Sequence, residues 1–530
     1  MRRWNGWGDD SVIYFLPASA RDFLTSLVGK GHHPEDVNLE HMLAQVPKSR
    51  LPKHPLVSPE PLTRLLHARG QSFPDWIDLR SGQLRSFPDG VAYPMSNEDV
   101  TTLIRFAHQS DIHVIPYGGG TSVVGHIDPI KSKAPILTID MSRMNRLIDL
   151  DVKSLLATFG AGVTGPDLEA QLRAHGFTLG HFPQSFEYST LGGWVVTRSS
   201  GQQSLRYGRI EKLFAGGRME TPLGELEMPA FPASAAGPDI REMVLGSEGR
   251  LGILTQARVR VSPLPEREEF HAVFFPNFQH GVEAVRQILS IGLPLCMLRL
   301  STPNETSTTL ALAGHENLIG ALERLLAIRG LGVGKCLLLL GFSGKTILVR
   351  TSRSEALNIT SKWGGVHVGK TFGEQWHKNR FRTPYLRKTL WELGYGVDTL
   401  ETATDWVNTP QMVEQIESAI RDAMSDFGEQ VHLFTHLSHV YTSGSSVYTT
   451  FLFRLTADLN DTLTHWQVMK FAASQAIIAN GGTISHQHGV GLDHLPYLAA
   501  EKGTLGLAAI TALCRQFDPM GIMNPGKLVA

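Results

Sequence analysis

The chain has 530 residues, of which 42% are hydrophobic and 19% charged, an ordinary composition for a globular enzyme. This chain is longer than a single hydrophobic core usually accommodates, so we expect two or more domains. With 49 basic and 50 acidic residues the net charge is −1, which argues against a nucleic acid partner. The cysteines Cys296, Cys336 and Cys514 lie far apart without CxxC spacing, so neither a disulfide framework nor a thiolate metal site is expected.

The N-terminal stretch MRRWNGWGDD has two arginines but no apolar run behind them, so it is unlike a secretory signal. No run of 18 apolar residues follows elsewhere in the sequence. We therefore expect a cytoplasmic protein. Peripheral contact with the inner membrane surface is left open, although no basic amphipathic helix stands out that would make it. Assembly into a homodimer is also left open.

The first predicted unit, residues 1–87, combines many prolines with short helical signals and extended segments. From residue 88 to 265 strands and helices alternate, which predicts a mixed α+β unit. A cap at Ser96 and apolar residues at helical spacing after it predict a helix. Further elements are predicted as strands at 114–115, 136–140 and 155–159 and a helix from 164 to 176.

The third predicted unit covers residues 266–456, and a C-terminal helical segment covers 457–530. Apolar residues at helical spacing predict a helix over 413–424 and another over 463–479. Two strands are predicted at 431–441 and 446–455, around a turn at 442–444. Phe451 and Phe453 alternate on one face of the second strand, which leaves Tyr448 on the other face, where a cavity could lie.

Three loops between residues 116 and 254 are dense in glycine and hydroxyl residues. The first, PYGGGTS at 116–122, has three consecutive glycines, which let backbone N–H groups converge on an anionic group. Its spacing fits neither GxGxxG nor GxxxxGK[ST]. The others lie at 181–209 and 237–254. Three such loops in one block favour a dinucleotide cofactor over three unrelated turns.

The ordered motifs RRWNGWG, PYGGGTS, FEYSTLGGWVVTRSSG, GSEGRLGIL and SHQHGVG resemble those of alkylglycerone-phosphate (alkyldihydroxyacetone-phosphate) synthases, within the vanillyl-alcohol-oxidase-type flavoproteins. The resemblance extends from residue 2 to the NPGK near the end. It implies a two-subdomain FAD-binding domain with an α+β cap domain and a C-terminal segment returning to the flavin. It also implies FAD as cofactor, and we expect it to be non-covalent because the first glycine loop contains no histidine.

The FAD-binding residues implied by the resemblance come from four stretches of the chain. They are Pro116, Tyr117, Gly118, Gly119, Gly120, Thr121 and Ser122; Gln184, Ser185, Phe186, Glu187, Tyr188, Ser189 and Thr190; Thr197, Arg198, Ser199 and Ser200; and Glu248, Gly249, Arg250, Leu251, Gly252, Ile253 and Leu254. Gln184 stands where the family usually has aspartate, which changes one charge near the cofactor.

The implied reaction replaces the acyl group of acyl-dihydroxyacetone phosphate by a fatty alcohol, through a flavin adduct and without net oxidation. Tyr448 matches the family's proton-transfer tyrosine, Arg387 its substrate-binding arginine and Arg299 an arginine near the active site. From pattern alone these could be an amphipathic strand residue, a solvated helix arginine and a structural ion pair. His486, Gln487 and His488 occupy the place of the family's three histidines, and Gln487 cannot take a proton near neutral pH.

Two other functions stay open at this point. A flavin dehydrogenase or oxidase of a 2-hydroxy acid would pair an EHG loop with a second strand histidine to hold a metal. This chain keeps His439 and His488 but has Tyr448 and Gln487 in the other two positions, so no metal site is expected. The third possibility is an inactive flavin-binding protein, against which the intact glycine loops argue.

Overall fold

The computed structural model describes residues 2–314 and 316–529 of the chain. Its strands are β1 (Val57–Ser58), β2 (Gly90–Ala92), β3 (His113–Tyr117), β4 (Ile136–Asp140), β5 (Leu147–Asp151), β6 (Leu156–Gly160), β7 (Phe177–Thr178), β8 (Phe214–Thr221), β9 (Gly224–Met228), β10 (Ile253–Arg260), β11 (Ser262–Pro263), β12 (Arg267–Phe275), β13 (Leu295–Ser301), β14 (Cys336–Gly344), β15 (Val366–His367), β16 (Tyr395–Asp405), β17 (Val431–Leu437) and β18 (Gly444–Arg454).

The helices follow in the same numbering. They are α1 (Ala18–Val28), α2 (Leu39–Gln45), α3 (Pro61–Leu66), α4 (Phe73–Ser81), α5 (Asn97–Gln109), α6 (Gly165–Arg173), α7 (Leu191–Thr197), α8 (Ser204–Tyr207), α9 (Ile210–Leu213), α10 (Arg241–Val244), α11 (Phe278–Ser290), α12 (Pro303–Leu312), α13 (Glu316–Ile328), α14 (Thr346–Lys362), α15 (Thr371–Asn379), α16 (Thr383–Glu392), α17 (Thr409–Ser425), α18 (Leu459–Ala479) and α19 (Leu498–Phe517).

Two small sheets carry the glycine-rich loops. The first has the order β1-β2-β4-β3, with parallel pairing of β2, β4 and β3, and the PYGGGTS loop leaves the carboxyl end of β3. Ser96 caps α5 by accepting from the backbone of Asp99, and α5 buries the apolar face that the sequence predicted. The second sheet is antiparallel in the order β5-β6-β10-β8-β9, and α7 packs against β10.

A larger sheet of seven strands has the order β15-β12-β14-β13-β17-β18-β16, with antiparallel neighbours throughout. One face packs on α11, α14, α17 and α18, with Phe451 and Phe453 in this core. The other face is covered in part by α1, α12, α13, α15 and α16. Because side chains alternate along a strand, Tyr448 points to this second face, as its spacing predicted.

The predicted elements are present, with differences at their ends. The strand expected at 431–441 ends at Leu437, because the chain then bends into a turn closed by an isolated bridge between Val440 and Ser445. The helix expected to begin at 463 begins four residues earlier, where the Asp458 side chain accepts from the backbone of Asn460. The prediction of a mixed α+β fold is confirmed.

Candidate active site

A cavity of about 1210 Å³ lies between the second face of the seven-stranded sheet and the glycine-rich loops of the two small sheets. Its floor consists of alternate residues from five strands: Leu337 and Leu339 of β14, Met297 and Arg299 of β13, His432, Phe434 and His436 of β17, Tyr448, Thr450 and Leu452 of β18, and Val397 and Thr399 of β16. The helices α1, α12, α13, α15 and α16 add mostly apolar side chains. The cavity therefore joins a glycine-lined end to an apolar end.

The PYGGGTS loop is pressed against a second loop at 188–190. A methyl group on Gly119 would lie 1.7 Å from the carbonyl oxygen of Tyr188, and one on Gly118 would lie 2.2 Å from Thr190 Oγ1. Gly120 has a φ of +65°, a conformation that L side chains rarely adopt. No side chain could be accommodated here, so the loop presents bare backbone to the cavity, as a pyrophosphate cradle requires.

The N-terminal motif RRWNGWG contacts the PYGGGTS loop and the 188–190 loop beside it. Arg2 Nη2 donates to Tyr117 Oη at 2.6 Å and to the carbonyl oxygen of Gly119 at 3.2 Å. Trp7 is buried, lines the cavity and packs edge-on against Tyr188 with 5.4 Å between ring centroids. The first segment of the chain thus fixes the shape of the predicted cofactor loop.

Most of the predicted FAD-binding residues line the cavity. They are Pro116, Tyr117, Gly118, Gly119, Gly120, Thr121, Ser122, Gln184, Ser185, Ser189, Thr190, Thr197, Ser199, Ser200, Glu248, Gly249, Gly252, Ile253 and Leu254. Four stretches spread between residues 116 and 254 are brought to one wall. Backbone, hydroxyl and amide groups dominate this wall, which fits the polar atoms of a dinucleotide.

The other predicted cofactor residues point away from the cavity. Phe186 stacks on Phe381 at 4.7 Å, Glu187 has a buried oxygen without a described partner, Tyr188 shares a hydrogen bond with Tyr385, Arg198 pairs with Glu242, Arg250 donates to the carbonyl oxygen of Met523, and Leu251 is in the core. Apart from Glu187, these side chains hold the loops in place. A contiguous motif does not show which of its residues face the ligand.

Two buried carboxylates hold the loop that contains Gln487 and His488. Glu401 accepts from the backbone N–H groups of Gln487 at 2.6 Å and His488 at 2.8 Å. Glu248 accepts from those of Val490 and Gly491. His126 and these N–H groups hold the pKa of Glu248 below its ordinary value, although burial opposes the shift. The loop is therefore fixed by four backbone hydrogen bonds to two carboxyl groups.

The three residues of the predicted histidine-loop site take different places. Gln487 and His488 line the cavity, whereas His486 does not. His486 Nε2 lies 2.6 Å from Tyr441 Oη, and its ring stacks on His439 at 5.1 Å. Burial, together with the charge of Arg209, holds the pKa of His486 well below its ordinary value. The side-chain oxygen of Gln487 is buried and has no hydrogen-bond partner among the described residues.

Tyr448 lies between two histidine rings in the cavity. Its ring stacks on His436 at 4.9 Å and 19° and meets His488 edge-on at 5.9 Å. Its hydroxyl donates to Thr399 Oγ1 at 3.1 Å. Burial raises the pKa of Tyr448, so the phenol is neutral at physiological pH and holds a proton inside the cavity.

Arg387 and Arg299 both line the cavity but differ in their partners. Arg387 donates to the carbonyl oxygen of Gln71, and its guanidinium lies 4.4 Å from the ring of Trp76. In the described part of the chain its buried Nη2 has no hydrogen-bond partner, and burial lowers its pKa to about 10. Arg299 instead pairs with Glu305. Of these two arginines, Arg387 thus has donor capacity left for an anion.

Four functional candidates were not found from the sequence: Glu305, Thr399, Glu401 and His436. The alternation of His432, Phe434 and His436 along one strand was a usable signal for residues sharing one face. No comparable signal identified Glu305, which lies in the first turn of α12, or Glu401, a single acidic residue in β16. The sequence suggested His439 only for a metal site. Its Nδ1 lies 3.1 Å from the hydroxyl oxygens of both Ser200 and Ser204.

Two family descriptions match the chain: residues 88–228 match the FAD binding domain, and residues 264–528 match the C-terminal domain of FAD linked oxidases. The alkyldihydroxyacetonephosphate synthase of Dictyostelium discoideum is 34% identical over 475 residues, covering 88% of this chain and 77% of that protein. The chain belongs to the alkyldihydroxyacetonephosphate synthase family. The synthase of Trypanosoma brucei brucei is 31% identical with the same coverage.

A solved alkyldihydroxyacetonephosphate synthase superposes on this chain with a TM-score of 0.85 and 29% identity, over 99% of both chains. The expected fold is confirmed: an FAD-binding domain of the vanillyl-alcohol-oxidase type with an α+β cap domain. The protein is an FAD-dependent enzyme of this family, and the glycine wall of the cavity fits the cofactor. The domain boundaries and the roles of individual site residues stay predictions.

Two structural observations concern metals and membranes. Across residues 2–314 and 316–529, no group of three or more His, Cys, Asp or Glu side chains is arranged to hold a metal ion. Within the same residues, no helix combines the length and apolarity needed to cross a bilayer.

The manner in which FAD is held gives one prediction. The lining of the glycine wall offers hydrogen-bond donors and acceptors, so we expect purified protein to be yellow and to release its flavin on acid precipitation. The absorbance of the supernatant and pellet measures this. Flavin that stays in the acid pellet would contradict non-covalent binding, and colourless protein that takes up no FAD would contradict the cofactor assignment.

Proposed function

We propose that this protein exchanges the acyl group of acyl-dihydroxyacetone phosphate for a long-chain alcohol and so forms the ether bond of a lipid precursor. The observation that carries this proposal is the polarity of the sheet face that floors the cavity. One end of that face carries Arg299, His436 and Tyr448, and the other carries Phe434, Leu452 and Val397. A substrate with a charged head and a long apolar chain fits this gradient, whereas a small hydroxy acid needs no apolar end.

The reaction requires a cation for the substrate's anionic groups and a group that moves a proton at the reacting carbon. In this proposal Arg387 binds the phosphate, since its Nη2 is buried without a described partner. Arg299 lies at the polar end of the floor and adds positive charge there, although Glu305 offsets part of it. When bound, FAD supplies a reactive ring nitrogen for an exchange without net oxidation.

Tyr448 is the proposed proton carrier at the substrate carbon. Its hydroxyl is neutral, faces the cavity and is oriented by Thr399. His488 contacts the edge of the same ring and would position the substrate beside it. Gln487 can donate or accept a hydrogen bond but carries no proton for exchange, so we assign it a positioning role. His486 supports the loop from outside the cavity.

The deciding experiment incubates the FAD-loaded protein anaerobically with acyl-dihydroxyacetone phosphate and a long-chain primary alcohol. We expect an alkyl ether by mass spectrometry, with fatty acid released in equal amount and no lasting bleaching of the flavin. A short-chain alcohol should react poorly, because it leaves the apolar end of the cavity unfilled. Bleaching by a 2-hydroxy acid without ether formation would replace this proposal by a dehydrogenase, and no response to either substrate would favour an inactive flavin-binding protein.

A further inference from the structure

A carboxylate and a histidine form a buried pair in the cavity lining, and the proposed function gives neither of them a part in proton transfer. Glu305 Oε2 lies 2.9 Å from His436 Nδ1, and the other oxygen of Glu305 pairs with Arg299. Glu305 is in the first turn of α12, where Thr302 caps the helix, and the helix dipole favours its negative charge. Both residues are buried. We call this pair the Glu305–His436 dyad.

The geometry of the dyad determines which ring nitrogen faces the cavity. Arg299 Nη2 also lies 3.1 Å from His436 Nδ1, but its stronger partner is the carboxylate of Glu305. We therefore assign the proton of the neutral ring to Nδ1, donating to Glu305. The lone pair then lies on Nε2. Among the residues that the structure describes, Nε2 has no hydrogen-bond partner, and His436 lines the cavity.

His436 stands at the boundary between the polar and apolar parts of the cavity floor. It pairs in register with Tyr448 on β18, while the next cavity-facing residue of its own strand is Phe434. Beyond Phe434, the ring nitrogen Nε2 of His432 already has a hydrogen-bond partner, Thr308 Oγ1, at 2.9 Å. An alcohol whose chain occupies the apolar end places its hydroxyl at the polar boundary of the cavity floor. Thr450, which pairs with Phe434 there, cannot take up a proton near neutral pH, so the first group able to accept one is His436 Nε2.

We propose that the Glu305–His436 dyad accepts the hydroxyl proton of the incoming long-chain alcohol. This inference rests on the proposed function and adds a second proton acceptor beside Tyr448. The alcohol O–H bond breaks and its proton passes to His436 Nε2, while the alcohol oxygen forms the new C–O bond. The fatty acid leaves as a carboxylate with the electron pair of the old C–O bond. Glu305 stays ionised and acts as a positioning residue that stabilises the imidazolium.

The charges that face His436 determine how this step depends on pH. Burial, together with Arg299, lowers the pKa of His436 below 6.5, whereas Glu305 and Glu401 raise it. His439 is a further titratable neighbour, and Tyr448 is neutral. A general base must be unprotonated, so ether formation should increase with pH through the pKa of His436. Since the net shift is downward, this rise should lie below the ordinary pH range of histidine.

Two reactions of the same holoenzyme separate this proposal from the role of Tyr448. Exchange of labelled fatty acid into acyl-dihydroxyacetone phosphate involves no alcohol, whereas ether formation does. For His436→Gln we expect ether formation to fall about 100-fold or more, the usual contribution of a general base. Fatty acid exchange should stay within about threefold of wild type. Equal loss of both reactions, or no loss of either, would overturn the proposal.

Glu305→Gln tests the positioning residue through the pH profile. Removing the carboxylate removes the influence that raises the pKa of His436 and leaves Arg299 unpaired, and both changes favour the neutral ring. We expect the rising limb of the ether-forming pH profile to move to lower pH and its plateau to fall. A reduced plateau with an unmoved limb would show a merely structural role and would contradict the dyad.

The matched control is a second carboxylate–histidine pair in the same sheet. His271 Nε2 lies 3.1 Å from Glu269 Oε2 on β12, and neither residue lines the cavity. His271→Gln should therefore keep both reactions and the wild-type pH profile. The experiment also distinguishes failure of the proposed function from failure of the dyad. If wild-type protein forms no ether the proposed function fails, whereas a wild-type reaction unaffected by His436→Gln removes the dyad alone.

Discussion

Tyr448→Phe is expected to abolish turnover while the protein keeps its FAD. The substitution removes one hydroxyl, leaves the ring stacked on His436 and changes no residue of the glycine wall. A positioned proton carrier typically contributes between about 100-fold and 10,000-fold to the rate, so we expect kcat for both ether formation and fatty acid exchange to fall by that range. Product analysis by mass spectrometry and the flavin absorbance of the purified variant measure the two halves of the prediction.

A matched hydroxyl deletion is available in the same sheet. Tyr395 Oη donates to the carbonyl oxygen of Gly29 at 2.9 Å and accepts from the backbone N–H of Gly31 at 3.1 Å, and the residue does not line the cavity. Tyr395→Phe should lower the free energy of unfolding by about 1–3 kcal/mol, because both hydrogen bonds are lost, and leave turnover unchanged. If Tyr448→Phe turned over like this control, Tyr448 would have no part in the chemistry.

Gly119→Ala is expected to prevent FAD binding. The new methyl group would meet the carbonyl oxygen of Tyr188 at 1.7 Å and the carbonyl carbon at 2.6 Å, and both are backbone atoms that cannot rotate away. The PYGGGTS loop must therefore move, which should cost about 1–3 kcal/mol of stability and remove the cradle. The ratio of flavin to protein absorbance after purification and the thermal unfolding midpoint, with and without added FAD, measure both effects.

Gly332→Ala is the corresponding control for added volume. A methyl group there would meet no atom within 4 Å, and the residue lies far from the glycine wall in sequence. We expect this variant to bind FAD as wild type does. A Gly119→Ala protein with a full complement of flavin would show that the loop does not hold the cofactor as the geometry indicates.

The structure shows how the site accommodates glutamine at position 487, where the resemblance implies a histidine. The backbone N–H groups of residues 487 and 488 are held by Glu401, so the shape of this loop does not depend on the side chain at 487. His488 and Tyr448 keep their contact beside it. The loss of a titratable group at 487 therefore leaves the rest of the site arranged, and His436 places another titratable ring against Tyr448.

The sequence by itself determined the local structure and the cofactor. Helix caps such as Ser96, strand alternation around Tyr448 and the glycine run at 118–120 depend on neighbouring residues, and the order of the motifs identified the family. These features follow from short-range sterics and periodicity. The sequence could not show which residues of the cofactor motifs face inward, because that depends on how the loops are packed.

Only the tertiary structure decided the composition of the polar end of the cavity. Glu305 and His436 are 131 residues apart, and Glu401 is 86 residues from Gln487. They meet because the strand order β13-β17-β18-β16 differs from the order in sequence. Such neighbours are set by burial of the whole sheet between helices, a cooperative property that no local pattern encodes. The sequence therefore identified the flavin, while the fold brought together the groups that we propose handle the substrate's protons.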